Sequence, residues 1–140
     1  MGNPVIFPLI YDTQCRDVLL VQINPIERRT TPKSAREIFN RMNEITFNSS
    51  LLRELRAIEF VGRLIEQEKL DQNRYKKVLL HRIGGADELE HLSASSKLNA
   101  EWAFLTHLRD IGRASAGAWL DAHFDDIGAR GTVDLQAMVN

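Results

Sequence analysis

The sequence predicts an α/β, helix-rich fold, and three observations carry that prediction. Residues 17–24 read as a strand apolar on both faces: Val18, Leu19, Leu20, Val21 and Ile23 lie between Asp17 and Asn24-Pro25. Strands of that kind belong inside parallel sheets. The stretch 34–70 repeats apolar residues at helical spacing. A second strand-like run, Val78-Leu79-Leu80-His81-Arg82-Ile83, is closed by Gly84-Gly85. Two strands do not make a stable parallel sheet, so something that flanks the first strand is missing from this set of elements.

Each element has its own signal. Asn3-Pro4 reads as an N-cap with proline at the first helical position, opening a short helix or turn to about Ile10 that Pro8 limits. Pro25 ends the first strand because it has no N–H to donate. Thr31-Pro32 and the pair Ser34/Glu37 compete to start the long helix. Its predicted stripe is Ile38, Met42, Ile45, Leu52, Leu55, Ile58, Val61 and Ile65, with Glu37–Arg41 and Glu59–Arg63 pairs outside it. Asn48-Ser49-Ser50 falls in the gap of the stripe and is expected to bend or break the helix. Residues 86–97 are polar and loop-like. Asn99 is expected to cap a helix bearing Phe104, Leu105, Leu108 and Ile111, which Gly112 ends or kinks. A further helix carries Trp119, Leu120, His123 and Ile127, and Thr132 caps a short last one.

Composition bounds the function. The 140 residues suit one domain, and 44% hydrophobic with 26% charged residues is globular. Eighteen basic against nineteen acidic residues, a net charge of −1, argues against nucleic acid as a partner. Charge is uneven: 14 basic and 10 acidic residues through Arg82 give +4, and 4 basic and 9 acidic residues from Ile83 onward give −5. Cys15 is the only cysteine, so an intrachain disulfide is excluded and a reducing compartment is expected. No basic run leads into an apolar leader segment, and no apolar run is long enough to span a bilayer. The expected location is the cytoplasm, including its membrane periphery.

No residue set completes a catalytic site. Gly112-Arg113-Ala114-Ser115-Ala116-Gly117 imitates a nucleophile elbow, but G-x-S-x-G needs glycine two residues before the serine, where Arg113 stands. The run is expected to serve a helix–helix contact. His81, His91, His107 and His123 contain no H-E-x-x-H. The pairs His107/Asp110 and His123/Asp126 are three apart and, across a helical hairpin, would suit a metal; surface polarity is the preferred reading. His81 is expected at a sheet edge as a satisfied polar group. Cys15 sits beside Arg16, which can lower a thiol pKa, but without a base it reads as incidental. Arg53, Arg56 and Arg63 share a helix face that suits lipid headgroups or, preferably, a salt-bridged outer face with Glu59. No cofactor and no metal is expected.

Several stretches together carry a family likeness. They are Asn3-Pro4, Phe7-Pro8-Leu9, the strand to Pro25, and Asn43-Glu44-Ile45-Thr46-Phe47-Asn48-Ser49-Ser50-Leu51 with Arg53-Glu54-Leu55-Arg56. To these are added Ser95-Ser96-Lys97-Leu98-Asn99, Phe104-Leu105-Thr106-His107-Leu108-Arg109-Asp110 and His123-Phe124-Asp125-Asp126-Ile127-Gly128. Together they resemble the C-terminal part of bacterial patatin-like phospholipases, with its associated domain of unknown function. The run 43–56 is the most specific part.

The resemblance implies a portion of an α/β sheet with about two strands and several helices. In it 1–30 is a strand region of the hydrolase sheet and 31–140 is mainly helical. It implies acyl-ester hydrolysis by a Ser-Asp dyad, with an oxyanion hole of backbone N–H groups. The chain lacks G-x-S-x-G, the glycine-rich oxyanion loop and the Asp-Gly motif, which is expected just upstream of Met1. Asp12 and Asp17 are not followed by glycine, so no catalytic residue is assigned. Asn3 and Pro4, with the segment to Ile10, are expected nearest the active site. The expected partners are a catalytic half or a second copy along the first strand, with a lipid surface as a further candidate. The competing expectation is a free-standing helical interaction module that binds a protein or a membrane surface.

Overall fold

The two apolar runs become the two strands of a small parallel sheet. The structure is a computed structural model that describes residues 5–28, 30–71, 73–84, 89, 92, 96 and 98–139. Asn3 and Pro4 lie outside the described residues, as does most of 86–97. In order, the elements are α1 (Phe7–Tyr11), β1 (Asp17–Val21), α2 (Ala35–Glu66), β2 (Leu79–Ile83), α3 (Trp102–His123), a 3₁₀ turn (Phe124–Asp126) and α4 (Leu135–Val139).

β1 and β2 pair in parallel with Asp17 opposite Leu79 and Val21 opposite Ile83. The sheet has two strands among the described residues. Leu79 N–H donates to the Arg16 carbonyl and Gln22 N–H to the Ile83 carbonyl. By parity Val18, Leu20 and Gln22 turn their N–H groups toward β2, while Leu19 and Val21 turn theirs outward. β1 is shorter than the 17–24 of the sequence reading, and only one of its faces is covered. Val18 and Leu20 are buried, whereas Leu19 is 47% and Val21 64% exposed.

The covered face packs on α2. Ile6, Val18, Leu20, Leu51, Leu55, Ile58 and Leu80 form one core cluster. Ser34, not Thr31, starts α2: its hydroxyl accepts from Glu37 N–H, and Glu37 accepts from Ser34 N–H. Glu37 is therefore engaged at the cap, and Arg41 pairs with Glu44 at 3.2 Å rather than with Glu37. The Glu59–Arg63 pair forms, at 3.5 Å. α2 runs unbroken through 48–50, and the buried stripe is Asn48, Leu51, Leu55, Ile58 and Ile65. Asn48 is held inside because its Nδ2 donates to the Pro25 carbonyl at 2.9 Å and its Oδ1 accepts from Gln22 at 3.5 Å. Leu55, Ile58 and Ile65 are buried as the spacing predicts, whereas Ile38, Met42 and Ile45 of the expected stripe are exposed. The helix ends on Glu68 at φ 57°, with Lys69 N–H on the Leu64 carbonyl and Glu68 N–H on the Ile65 carbonyl. This is a Schellman end, a position that favours glycine.

Two long-range contacts tie α1 down. Glu54 of α2 accepts the N–H groups of Ile6 and Phe7 at 2.8 and 3.0 Å. Lys76 donates to the Leu9 and Thr13 carbonyls. α3 is one 22-residue helix; Gly112 does not end it, because a helical glycine costs only about 1 kcal/mol against alanine. Asn99 bonds Glu101 N–H just before the helix and is not its cap. The last helix is capped by Asp134, whose carboxylate accepts from Ala137 N–H. Thr132 N–H instead joins the Leu80 carbonyl on the outer edge of β2. There Gly131 comes so close that a Cβ would lie 3.2 Å from Leu80 main-chain atoms.

Urea denaturation separates the expected stripe from the observed one. Leu55→Ala should lower stability by about 2–5 kcal/mol, and Ile45→Ala by no more than about 0.5 kcal/mol. Equal losses would place α2 on the wrong face. Glu68→Gly should stabilise by about 0.5–1 kcal/mol, since only glycine adopts that φ freely; a loss would contradict the Schellman end.

Candidate functional site

The register of β1 and β2 brings Asp17 and His81 together on the face away from α2. His81 is 1% exposed. Its Nε2 lies 3.0 Å from Asp17 Oδ1 and its Nδ1 3.3 Å from Thr132 Oγ1. Asp17 Oδ1 also accepts Gly128 N–H at 2.8 Å, and Arg16 donates to the Gly128 carbonyl at 3.3 Å. Gly128 has φ 80°, which a side chain would resist. Trp119 of α3 presses edge-on to His81 with ring centroids 5.6 Å apart, and His123 leans on Trp119 at 5.4 Å. His123 Nδ1 lies 3.0 Å from Asp126 Oδ2, and Arg130 donates to the other carboxylate oxygen.

The electrostatics follow from these bonds. The Gly128 N–H, then the His81 ring, hold the Asp17 carboxyl below its ordinary pKa against the opposing push of burial. Hydrogen bonds from His123, then Arg130, lower Asp126. With Asp17 ionised, the tautomer that fits puts the His81 proton on Nε2 and leaves Nδ1 to accept from the Thr132 hydroxyl. This carboxylate–imidazole–hydroxyl order resembles a nucleophile-activating triad. However, the Thr132 and Val133 N–H groups are both engaged by the Leu80 carbonyl, so neither can receive an oxyanion beside that hydroxyl. The arrangement clasps β1, β2 and the turn at 128–133 around one ring.

The second place lies beyond the carboxyl ends of the strands, where open parallel sheets bind ligands. A cavity of about 720 Å³ opens there between Val21, Ile23 and Ile83 of the strand ends, Phe47 of α2, and Leu108 and Ile111 of α3. At its rim Arg28 Nε donates to both Glu44 oxygens at 2.8 and 3.1 Å, and Arg41 reaches Glu44 at 3.2 Å. Burial pushes the Glu44 carboxyl up, but the bonds from Arg28 and Arg41 outweigh it and hold the group below its ordinary pKa. A neighbouring cavity of about 530 Å³ is bordered by Gln22, Arg82, Trp119, His123 and Thr132.

The residues singled out by sequence fall mostly elsewhere. Ser115 lies in the middle of α3 on the wall of the larger cavity, not at a strand-to-helix turn. His107/Asp110 and His123/Asp126 follow one another along α3 and its terminal turn, about 24 Å apart at helical rise, rather than meeting across a hairpin. No group of three metal-ligating side chains occurs among the described residues. Cys15 is exposed, its sulfur against the Asp17 carbonyl, and Arg16 points to Gly128 instead. Arg63 pairs with Glu59 and lies over the Phe60 ring at 5.6 Å. The described part of the segment to Ile10 is held through Lys76, just before β2, at the opposite end of the sheet from the cavities. Asp17, Thr132, Arg28 and Glu44 carry the two places, and only strand register and tertiary packing join them.

Scans against family models, curated proteins and solved structures each find no match to this chain.

The lowered Asp17 pKa fixes a pH dependence. Its contribution is present above the unfolded-state value of 3.8 and is lost as pH falls through the lower folded value. Asp17→Asn should therefore be less stable than the parent at pH 7, by a gap that closes below pH 3.8. A gap that stays constant with pH would show that the carboxylate charge contributes nothing.

Proposed function

We propose that this chain is the C-terminal portion of a patatin-like lipid acyl hydrolase, acting there as a half that completes the sheet and carries no Ser-Asp dyad. One observation supports the reading: β1 presents an apolar outer face and an outer edge with no hydrogen bond to Leu19 or Val21 main chain among the described residues. A two-stranded parallel sheet with Val and Leu on both faces is the interior of a larger sheet laid open. A catalytic half rich in parallel strands would cover that edge and supply the serine, the aspartate and the oxyanion donors. The half-buried Leu108 and Ile111 of α3 and the strand ends would then border the substrate side of the joined sheet.

The second reading, a free-standing interaction module, is favoured by one feature: Ile38, Phe39, Met42 and Ile45 lie exposed along the first turns of α2. These residues would face a partner protein or a lipid surface. The described residues contain no helix long and apolar enough to cross a membrane.

The pure chain should not hydrolyse p-nitrophenyl esters, and co-expression with a separate catalytic half carrying G-x-S-x-G and Asp-Gly-Gly should give a stable, active complex. Turnover by the chain alone that vanishes in Ser115→Ala would overturn the reading. Without that half, the open edge should pair with a second copy. Light-scattering mass should rise with concentration and return to the monomer value in Val21→Lys, whose side chain points away from the core. A monomer at every concentration would instead favour the free-standing module.

A further inference from the structure

The outer side of α2 belongs to neither the clasp nor the cavities. Steps of three and four residues lead from Ile38 to Met42 and Ile45, and about two turns on to Arg53, Arg56 and Phe60, along one side of the helix. That side lies nearly opposite the buried Leu51, Leu55 and Ile58. Met42 is 60% and Phe60 51% exposed, and Phe39 beside them 62%. Arg53 and Arg56 are exposed as well. α2 has five glutamates and five arginines, so its charge balances and only their placement favours one partner over another. The glutamates are engaged off the outer side. Glu37 accepts the Lys33 and Ser34 N–H groups, Glu54 accepts those of Ile6 and Phe7, and Glu44 holds Arg28 and Arg41. Glu66 meets Lys77 at 2.6 Å, and Glu59, at the margin of the outer side, meets Arg63 at 3.5 Å.

We infer that the outer side of α2 is a docking face for an anionic lipid surface, with Ile38, Met42 and Ile45 in the acyl boundary and Arg53 and Arg56 at the headgroups. The face is a convex ridge, about 33 Å from Ile38 to Phe60 at 1.5 Å per residue, and no carboxylate of α2 enters it. A folded protein seats such a ridge in a groove shaped to it, whereas a fluid lipid surface moulds itself around it. The apolar side chains sink in, while the arginine stems lie along the boundary and lift their guanidinium groups to the phosphates. Basic residues at that depth favour anionic over neutral lipid by about fivefold each. The inference rests on the free-standing-module reading in taking the exposed turns of α2 as a docking face, and it names their partner. It does not compete with pairing at β1, because the sheet lies on the other side of α2.

Cosedimentation with extruded vesicles tests the face, using phosphatidylcholine alone and mixed with an equal share of phosphatidylglycerol. Half-maximal binding to the mixed vesicles should need at least about tenfold less lipid than binding to the neutral ones, and about 0.5 M salt should remove the difference. Arg53→Glu, and Ile38→Gln together with Met42→Gln, should each weaken binding at least about tenfold. Urea stability should stay unchanged, because these side chains face solvent. Acrylodan attached to Met42→Cys in a Cys15→Ser background should shift to the blue on the mixed vesicles, whereas acrylodan on Cys15 of the parent chain should not. Equal binding to both kinds of vesicle would overturn the anionic surface. Unchanged binding in both sets of variants, or a shift at Cys15 and none at position 42, would put the lipid contact elsewhere and overturn the face. Loss of self-association instead of vesicle binding in Ile38→Gln with Met42→Gln would assign the ridge to a second copy and overturn the lipid. No binding of the folded chain to mixed vesicles would overturn the inference and leave the module a protein partner. Failure of the module reading itself is read separately, in the light-scattering mass of the chain without vesicles.

Discussion

The parallel ladder between β1 and β2 positions everything else on this chain. It sets Leu19 opposite His81, which brings the Asp17 carboxylate within 3.0 Å of the His81 ring. It turns Val18, Leu20 and Leu80 together toward α2, where Leu51 and Leu55 are fully enclosed. Two strands alone hold little, so each face needs its own cover. α2 supplies one. On the other, Trp119, the turn at Gly128 and the close passage of Gly131 cover β2 and the start of β1 only.

That uneven cover explains the exposed apolar surface. β2 has its outer edge partly met by Thr132 and Val133, and its outer face closed by Trp119 over His81. β1 has neither beyond Asp17, so Leu19, Val21 and Ile23 remain in the open. α3 touches the sheet mainly through its C-terminal end and has no fully buried residue. The gap between its middle and the strand ends is the larger cavity. The clasp and the cavity thus lie at opposite ends of the same helix contact: the aromatic end is tied to His81, while the small-residue middle stands off.

Local signals in the sequence were sufficient for the existence of both strands and of the long helix, because each rests on neighbours within a few residues, but they left two competing starts for that helix, of which the structure takes the Ser34 capping box. They failed where a distant group decides the outcome. Asn48 has the look of a helix breaker, yet the Pro25 carbonyl and Gln22 satisfy it inside the core, and Leu51 rather than Leu52 is the residue buried one turn before Leu55. Gly112 has the look of a stop, yet the helix continues to the Trp119–His123 end that packs on β2. Thr132 has the look of a cap, yet its hydroxyl meets His81 and leaves capping to Asp134. The clasp was illegible because Asp17 and His81 become neighbours only through strand register. The cavity was illegible because its walls come from four separated stretches.

Amide hydrogen exchange on β1, residue by residue and at a dilution where the chain is monomeric, tests the open edge most directly. Exchange reports which N–H groups are bonded. The account predicts alternation: slow exchange at Val18, Leu20 and Gln22, whose N–H groups face β2, and fast exchange at Leu19 and Val21. Equal protection at all five would mean that the chain covers β1 itself and would contradict the claim that β1 is an interior strand left without its neighbour.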